Sequence, residues 1–515
     1  MGRGGGLMVY RFGEFSLDTA SLELKQNETL LEVEPQVFSL LSCLIENRGR
    51  VVTKDELIDN IWGGRIITDG ALNTRINALR RAVGDDGQTQ SVIKTYRNRG
   101  FRFVAEVANI DETTLQNQAL TPISDKPSIA VLPFNNLSDD PGQEYFADGI
   151  TEDLITGISK LSGLTVIGRN SSFFYKEKEV DLGQVGQELG VNFVLEGSVR
   201  KAGERVRITA QLTDLCNAGL VWADSHDGTL GDVFDLQDEI TGRILSALSV
   251  QLGSEAPRLI SKYTDSPEAH DWFMQARIRY REPGPQANGE AHGMFDRAIA
   301  ADPKFAAAFA IRSYVKFHAW FFKWNAAASL PDALADAQIA VQFDVNLAAA
   351  HSYLGWMHMW DHDHDRALAE HEIALKLDPN SAEGYVWYAS TLIYSGRPEF
   401  AIDPMERAIR LDPHHPPNFL VNFGNMYLQL GCYEEAERYL NTVRKMAPDF
   451  PVTYIFLAAV HAAAGDIEGS KNAGAEIIKR IPGATSTMLG RQFPYAKPEH
   501  LKRMTDGLRI AGLPD

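Results

Sequence analysis

The chain has few of the residues that mark an extracellular or membrane-embedded protein. It contains only three cysteines, Cys43, Cys216 and Cys432, and their spacing suits neither a disulfide framework nor a metal site. No apolar run approaches the roughly 18 residues that a membrane-spanning helix needs. The first residues lack the apolar core of a signal peptide. We therefore expect a cytoplasmic protein, in a reducing compartment and without a membrane partner.

The sequence also lacks the motifs of common catalytic sites. It has no Gly-x-x-x-x-Gly-Lys-Ser/Thr phosphate loop and no Gly-x-Ser-x-Gly nucleophile turn. Acidic residues gather around one predicted strand-to-helix loop, where they could bind Mg²⁺ or could simply favour the start of a helix. They are Asp139, Asp140, Glu144, Asp148, Glu152 and Asp153. We predict no enzymatic activity, no cofactor, and no catalytic or metal-binding residue.

Charge is distributed unevenly along the chain. The formal net charge of −18 argues against a general polyanion binder. Residues 1–107 nevertheless balance 14 basic against 14 acidic side chains, and residues 65–102 carry eight basic against three acidic ones. The negative excess therefore lies downstream, as expected for a DNA-binding head on an acidic body.

The basic segment 71–103 predicts a helix followed by a β-hairpin. From 71 to 83, apolar residues recur in steps of four, three and four, which is typical of one buried helix face. The opposite face is polar and cationic. After a glycine-containing turn, 91–96 and 101–103 alternate like strands around a basic turn at 97–100. Such a helix suits the major groove of DNA, and such a hairpin suits the neighbouring phosphates or the minor groove.

The candidate DNA contacts form two sets. Those on the helix are Asn73, Thr74, Arg75, Asn77, Arg80 and Arg81. Those on the hairpin, or placed to orient the domain, are Lys54, Lys94, Arg97 and Arg99. Arginine and asparagine can bond base edges, whereas threonine and further arginines suit phosphates. The alternative for each is a solvated surface side chain, and no base can be assigned to any of them.

Residues 8–107 resemble the winged-helix DNA-binding domain of the OmpR/PhoB type. Short alternating strands, a helix from Pro35, and a second helix capped by Thr53 and Glu56 precede the basic helix. The matching blocks are FGEFSLD, EPQVFSLLSCLIENRGRVVTKDELIDNIWG, ALNTRINALRRAVGDD and IKTYRNRGFRF. The last block departs from the family pattern at Arg99 and Phe101. The family usually has a receiver domain in front, but here we expect only a flexible leader at 1–7.

A second domain is predicted after a polar linker at 108–127. Residues 128–253 alternate strands and helices, as an α/β layer does. They resemble the TolB-N-terminal-like domain of bacterial regulators and some nucleotidyl cyclases, and the resemblance implies a fold more than an activity. The matching phrases are AVLPFNNLSDDPGQEYFADGITEDLI, LEGSVRKAGERVRITAQLTD and VWADSHD.

The last half of the chain is repetitive. Asp-Pro or a similar pair recurs, and the successive second positions lie 42, 34, 34, 35 and 34 residues apart. A period of 34 is that of the tetratricopeptide repeat. We predict about five repeats over 266–485, an insertion of about eight residues near 321–330, and a helical cap or tail at 486–515. Most aromatic residues here should be core, and some should line a groove for a peptide or protein partner.

The predicted fold is multidomain: an α+β winged helix, an α/β domain, and an all-α tetratricopeptide-repeat solenoid. The layout resembles HilA-type and CadC-type regulators, without the transmembrane segment of the latter. It implies a sequence-specific transcriptional regulator that binds double-stranded promoter DNA as a homodimer, with RNA polymerase as a candidate partner. Its α/β and repeat domains would regulate it. The alternative is a repeat scaffold for protein assembly whose winged helix docks protein in place of DNA.

Overall fold

The structure, a computed structural model, divides the chain into two compact units, residues 1–118 and 119–515. The described part of the chain comprises residues 9–18, 23–26, 29–31, 33, 35–48, 50–54, 56–57, 69–85, 89–96, 99–105, 108–109, 126–161, 163–178, 180–217, 219–229, 233–252 and 263–515. Within these ranges, no helix is both long enough and apolar enough to cross a bilayer.

The first unit contains an antiparallel sheet of the order β4-β3-β2-β1-β7 and the hairpin β5-β6. Its strands are β1 (Val9–Phe12), β2 (Phe15–Asp18), β3 (Glu23–Gln26), β4 (Thr29–Leu31), β5 (Ile93–Tyr96), β6 (Gly100–Phe103) and β7 (Ala108–Asn109). The alternating pattern near the start of the chain predicted β1 to β4, and the structure confirms them. Strand β7 pairs with β1 although its residues fall in the stretch predicted to be linker.

Among the described residues of this unit, the helices α1 (Pro35–Glu46) and α2 (Asp69–Ala82) pack with these strands around one core. Leu40 and Leu44 of α1 and Leu79 of α2 are fully buried in a cluster with Phe12 and Phe103. The predicted capping box is confirmed, because Thr53 Oγ1 accepts from Glu56 N at 3.2 Å and Glu56 Oε2 accepts from Thr53 N at 2.8 Å.

The second unit begins with a mixed sheet of the order β10-β8-β11-β12-β13, with β9 beside β11. Its strands are β8 (Ser128–Val131), β9 (Asn135–Asn136), β10 (Thr165–Val166), β11 (Phe193–Ala202), β12 (Arg205–Asp214) and β13 (Gly219–Thr229). Its helices are α3 (Glu144–Ser159), α4 (Arg169–Phe173), α5 (Leu182–Leu189) and α6 (Val233–Leu252). The predicted α/β layer is confirmed, and α4 is a short helix that the sequence pattern did not predict.

Six helix pairs and two closing helices follow in residues 263–515, all of which the structure describes. The pairs are α7 (Pro267–Arg279) with α8 (Pro285–Ala301), α9 (Ala306–Phe321) with α10 (Leu330–Phe343), α11 (Ala348–Trp360) with α12 (His364–Leu377), α13 (Ala382–Tyr394) with α14 (Ile402–Leu411), α15 (Pro417–Leu430) with α16 (Tyr433–Met446), and α17 (Pro451–Ala464) with α18 (Ile467–Arg480). The closing helices are α19 (Ser486–Gln492) and α20 (Pro498–Ile510). The all-α repeat region is confirmed with one more helix pair than the five expected, and the predicted insertion forms the connection 322–329.

Buried ion pairs join the α/β layer to the first repeat. Glu152 of α3 accepts hydrogen bonds from Arg169, Arg277 and Arg281, and its side chain is 4% exposed. Neighbouring Asp153 accepts from Arg277 and lies 3.2 Å from His270 Nε2. Burial opposes the ionisation of Glu152, but the three guanidinium charges outweigh it and hold the pKa of this carboxyl well below its usual range. The second unit is therefore joined through charge pairing as well as apolar packing.

Two turns of the solenoid form further hydrogen bonds with the α/β layer. Asn380 Nδ2 donates to the carbonyls of Ser159 at 2.8 Å and Leu164 at 3.0 Å. Asp412 accepts from Ser171 N at 2.8 Å and from its hydroxyl at 2.6 Å. The Asp-Pro turns that mark the repeat period therefore also hold the α/β layer.

The acidic residues that could have suggested a Mg²⁺ site have other partners. Besides the arginine contacts of Glu152 and Asp153, Lys176 Nζ lies 2.7 Å from Asp148 and 3.0 Å from Glu144. Asp140 instead caps the short 3₁₀ turn Pro141–Gln143. Among the described residues, no group of three or more His, Cys, Asp or Glu side chains is arranged to hold a metal ion. Five of the six carboxylates are therefore engaged in ion pairs or in capping.

The buried carboxylate of Glu152 gives the first test. We expect Glu152→Gln to destabilise residues 119–515 by about 3 kcal/mol, because three guanidinium groups would lose their counter-charge in a buried site. Urea unfolding of the full-length chain measures this change. The matched control is Asp227→Asn, which removes the charge from an exposed pair with Arg207 on β12 and should leave the midpoint unchanged. Equal shifts in the two variants would contradict the role given to Glu152.

Candidate nucleic-acid interface

Helix α2 is amphipathic in the way its sequence predicts. The apolar stripe is at most 2% exposed and faces the core. Its members are Leu72, Ile76, Leu79 and Val83. On the other side, Thr74, Asn77 and Arg81 are exposed and Arg75 is half-buried. The exposed side of α2 therefore carries hydroxyl, amide and guanidinium groups, the chemical types that bond base edges and phosphates.

The hairpin β5-β6, here called the wing, is fixed to the rest of the unit at its base. Val52 N donates to Phe101 O at 2.8 Å, and Phe101 N donates to Val52 O at 2.9 Å. Gly100 has a φ of +141°, and a Cβ at this position would overlap the Val52 carbonyl. Glycine is therefore required where the backbone of Val52 approaches the wing.

The basic residues of the wing lie away from the core. Lys94 is exposed, with its Nζ 5.9 Å from the centre of the Tyr96 ring, and Arg99 is exposed in the turn. Lys54 is half-buried where residues 54, 56 and 57 begin a helix. Two predicted contacts remain untested by geometry, because Arg97 and the side chain of Asn73 lie outside the described residues.

Arg80 departs from the expectation that it faces DNA. Only 7% of it is exposed. Its Nη2 donates to the carbonyl of Ile93 at 2.9 Å and to Thr95 Oγ1 at 2.8 Å, both on β5. The reason is its helical position: Arg80 lies four residues after Ile76, so it falls at the edge of the buried stripe. Its guanidinium contacts the wing, whereas that of Arg81, the next residue, points outward.

Asp85 is a residue of this site that the sequence-based reasoning missed. It is 6% exposed and follows Gly84, whose φ of +64° ends α2. Asp85 accepts hydrogen bonds from Ser91 N at 2.8 Å and from Ile93 N at 2.9 Å. Its Oδ2 also lies 3.8 Å from Arg80 Nε. Together Asp85 and Arg80 connect the end of α2 to the start of the wing, so helix and wing present one surface.

Two segments match known regulator families. Residues 27–103 match the family described as "Transcriptional regulatory protein, C terminal", and residues 124–243 match "HilA/YgeH-like transcriptional regulator, second domain". The first confirms the predicted OmpR/PhoB-type domain, and the second confirms the predicted HilA-like arrangement. Both families are described as transcriptional regulators.

The curated proteins that are similar to parts of the chain include the following three. It is 45% identical over 238 residues to a protein named putative adenylate cyclase 3 of Rhizobium meliloti (strain 1021), a match covering 46% of this chain and 40% of that protein. It is 31% identical over 100 residues to the transcriptional activator CadC of Escherichia coli (strain K12), covering 19% and 20%. It is 27% identical over 158 residues to the transcriptional regulator HilA of Salmonella typhi, covering 30% and 26%. The chain thus spans less than half the length of these curated relatives.

The buried link between α2 and the wing can be tested without touching an exposed side chain. We expect Asp85→Ala to destabilise the first unit by about 2 kcal/mol, because the buried N–H of Ile93 and the partly buried N–H of Ser91 lose their acceptor and the Arg80 guanidinium loses a nearby carboxylate. Thermal unfolding of the full-length chain reports the change, and Arg50→Ala, which breaks an exposed pair with Glu56, is the control. If Asp85→Ala unfolds at the wild-type temperature, the carboxylate does not hold the wing.

Proposed function

We propose that this chain is a sequence-specific DNA-binding transcriptional regulator. The observation that carries the proposal is that an exposed polar and cationic helix face is joined, through the buried Arg80–Asp85 network, to an exposed basic wing. Such a surface suits a groove and its flanking phosphates. The match of two segments to families of transcriptional regulators supports the same function.

In the proposed complex, α2 lies in the major groove and the wing contacts the minor groove or its phosphates. Asn73, Thr74, Arg75 and Asn77 are the candidates for base edges, and Arg81 is a candidate for the phosphates beside the helix. Lys54, Lys94, Arg97 and Arg99 are candidates for positioning contacts. Arg80 is reassigned to a positioning residue, because its guanidinium bonds the wing.

The finer features of this function are also proposals. We propose a homodimer on two repeated half-sites of promoter DNA, with RNA polymerase as a partner. The site of action would be the cytoplasm, where a bacterial promoter lies. Residues 8–107 would bind DNA, whereas the α/β region 128–253 and the repeats 266–485 would receive the regulatory signal and bind a protein partner. We assign no catalysis to the α/β region, because the carboxylates of Asp148, Glu152 and Asp153 are held in ion pairs.

Salt-dependent DNA binding by the full-length chain tests the proposal. We expect the double variant Arg81→Ala with Arg99→Ala to reduce the slope of log K against log salt concentration by about two, since each lost phosphate contact lowers it by about one. Fluorescence anisotropy with a labelled duplex over a salt series measures the slope.

The matched control removes the same amount of charge elsewhere. Lys25→Ala with Arg207→Ala neutralises one residue on β3 and one on β12 and should leave the slope unchanged. Indistinguishable slopes for the two double variants would reject the assigned surface. A wild-type chain that binds no duplex at low salt would reject DNA binding and favour the protein-docking alternative.

A further inference from the structure

The first helices of five successive helix pairs, here called the inner helices, end along one edge of the solenoid. A segment near the carboxyl terminus of the chain crosses that edge. The helices are α9, α11, α13, α15 and α17. The segment is the stretch Gln492–Lys497, sequence Gln-Phe-Pro-Tyr-Ala-Lys, which runs from the last residue of α19 to the residue before α20. We call it the strap. Its three central residues, Phe493, Pro494 and Tyr495, are all buried.

The strap and the helix after it satisfy carbonyl groups at the ends of three inner helices. The last carbonyls of a helix have no partner within the helix. Gln492 Nε2 donates to Phe321 O at 3.0 Å, and Ala496 N donates to Tyr394 O at 2.8 Å. From α20, Arg503 Nη1 donates to Leu428 O at 2.8 Å. This edge of the solenoid therefore offers a row of acceptors to a crossing segment, and the strap supplies two of the donors.

Two aromatic side chains anchor the strap. The Phe493 ring lies 5.3 Å from that of Phe456 and 6.3 Å from that of Tyr394, to which it is nearly parallel. It also lies 6.4 Å from Trp360. Rings from three inner helices, α11, α13 and α17, thus surround one phenyl ring, which is the arrangement of a specific side-chain pocket.

The second anchor, Tyr495, is held by hydrogen bonds as well as by packing. The Tyr495 ring lies 4.9 Å from that of Tyr394. Its hydroxyl donates to Asn425 Oδ1 at 2.6 Å and accepts from Gln429 Nε2 at 3.2 Å. Phenylalanine at this position would leave these buried amide groups without that partner, so the pocket selects tyrosine.

The helices on either side of the strap have contacts of their own that do not involve the strap. Helix α20 approaches α17 and α18 so closely that a Cβ on Gly507 would lie 2.6 Å from Ala459 Cα, and one on Gly474 would overlap the Ala511 carbonyl. At the other end, Ser486 N of α19 donates to Pro514 O at 2.7 Å. Release of the strap would leave these contacts in place, so the strap can be exchanged while its flanking helices stay bound.

We infer that this edge of the solenoid is a recognition site for an extended aromatic-proline-aromatic segment, and that the strap is its resting occupant. The inference rests on the partner-binding role proposed for the repeats, and it assigns that role a site and a regulation. A partner protein would present a segment of the Phe-Pro-Tyr type and would compete with the strap. Because a short tether gives an effective concentration of about millimolar, the strap keeps the site closed to weak ligands.

A peptide in trans tests this inference on the full-length chain. The probe is a fluorescent peptide with the sequence of residues 489–499, LGRQFPYAKPE. We expect Phe493→Ala with Tyr495→Ala to bind it at least about tenfold more tightly than the wild-type chain, because the tethered competitor is weakened. The exposed Phe400→Ala serves as the aromatic-to-alanine control and should bind like the wild type. A peptide with both aromatic residues replaced by alanine should bind to none of the chains.

Peptide binding is compared only among samples whose circular dichroism spectrum matches that of the wild-type chain. A folded double variant that fails to bind the peptide overturns the inference, as does a wild-type chain that binds it equally well. If the double variant does not fold, Tyr495→Phe takes its place in the comparison. Because the strap then loses its hydroxyl contacts, the affinity for the peptide should rise about fivefold. DNA binding measured on the same samples should be unchanged, so a failure here is distinguishable from a failure of the proposed DNA function.

Discussion

The buried carboxylate of Asp85 determines how the proposed DNA-binding surface is assembled. It accepts two backbone hydrogen bonds at the start of the wing and lies beside the guanidinium of Arg80, which in turn bonds two groups of β5. Without this link, α2 and the wing would be held together by the shared apolar core and by the chain that connects them. With it, the exposed side chains of Arg81 on the helix and Arg99 on the wing belong to one rigid surface, as recognition of a groove requires.

The second unit uses charge in a similar way, over longer distances in the sequence. Glu152 and Asp153 of α3 meet Arg277 and Arg281, and the solenoid turns at Asn380 and Asp412 bond the α/β layer directly. A buried ion network adds little net stability relative to apolar packing, but it penalises any arrangement that leaves one charge unpaired. The orientation of the α/β layer on the repeats is therefore specified. A partner that binds the repeats would bind one compact unit that includes the α/β layer.

Local pattern predicted much of the fold, because each pattern is a property of a short segment. The apolar stripe of α2 and the 34-residue period both depend on neighbours within a few turns of chain. What the sequence could not provide are contacts between distant segments. The helical period places Arg80, and not Arg81, at the edge of the buried stripe, but its partners on β5 are contacts that the sequence does not indicate. The acidic residues of α3 suggested a cation site because Arg277, which pairs with both Glu152 and Asp153, lies more than 120 residues away. Likewise, no sequence pattern near either residue indicates that Phe493 and Trp360 are neighbours.

The central claim is that the first unit reads DNA sequence, and selection from a random duplex library by the full-length chain tests it most directly. The selected duplexes should be enriched in two repeated half-sites whose centres are separated by about 10 base pairs, or a multiple of it, as expected for two copies on one face of the double helix. A folded chain that enriches no sequence at either low or moderate salt would contradict it.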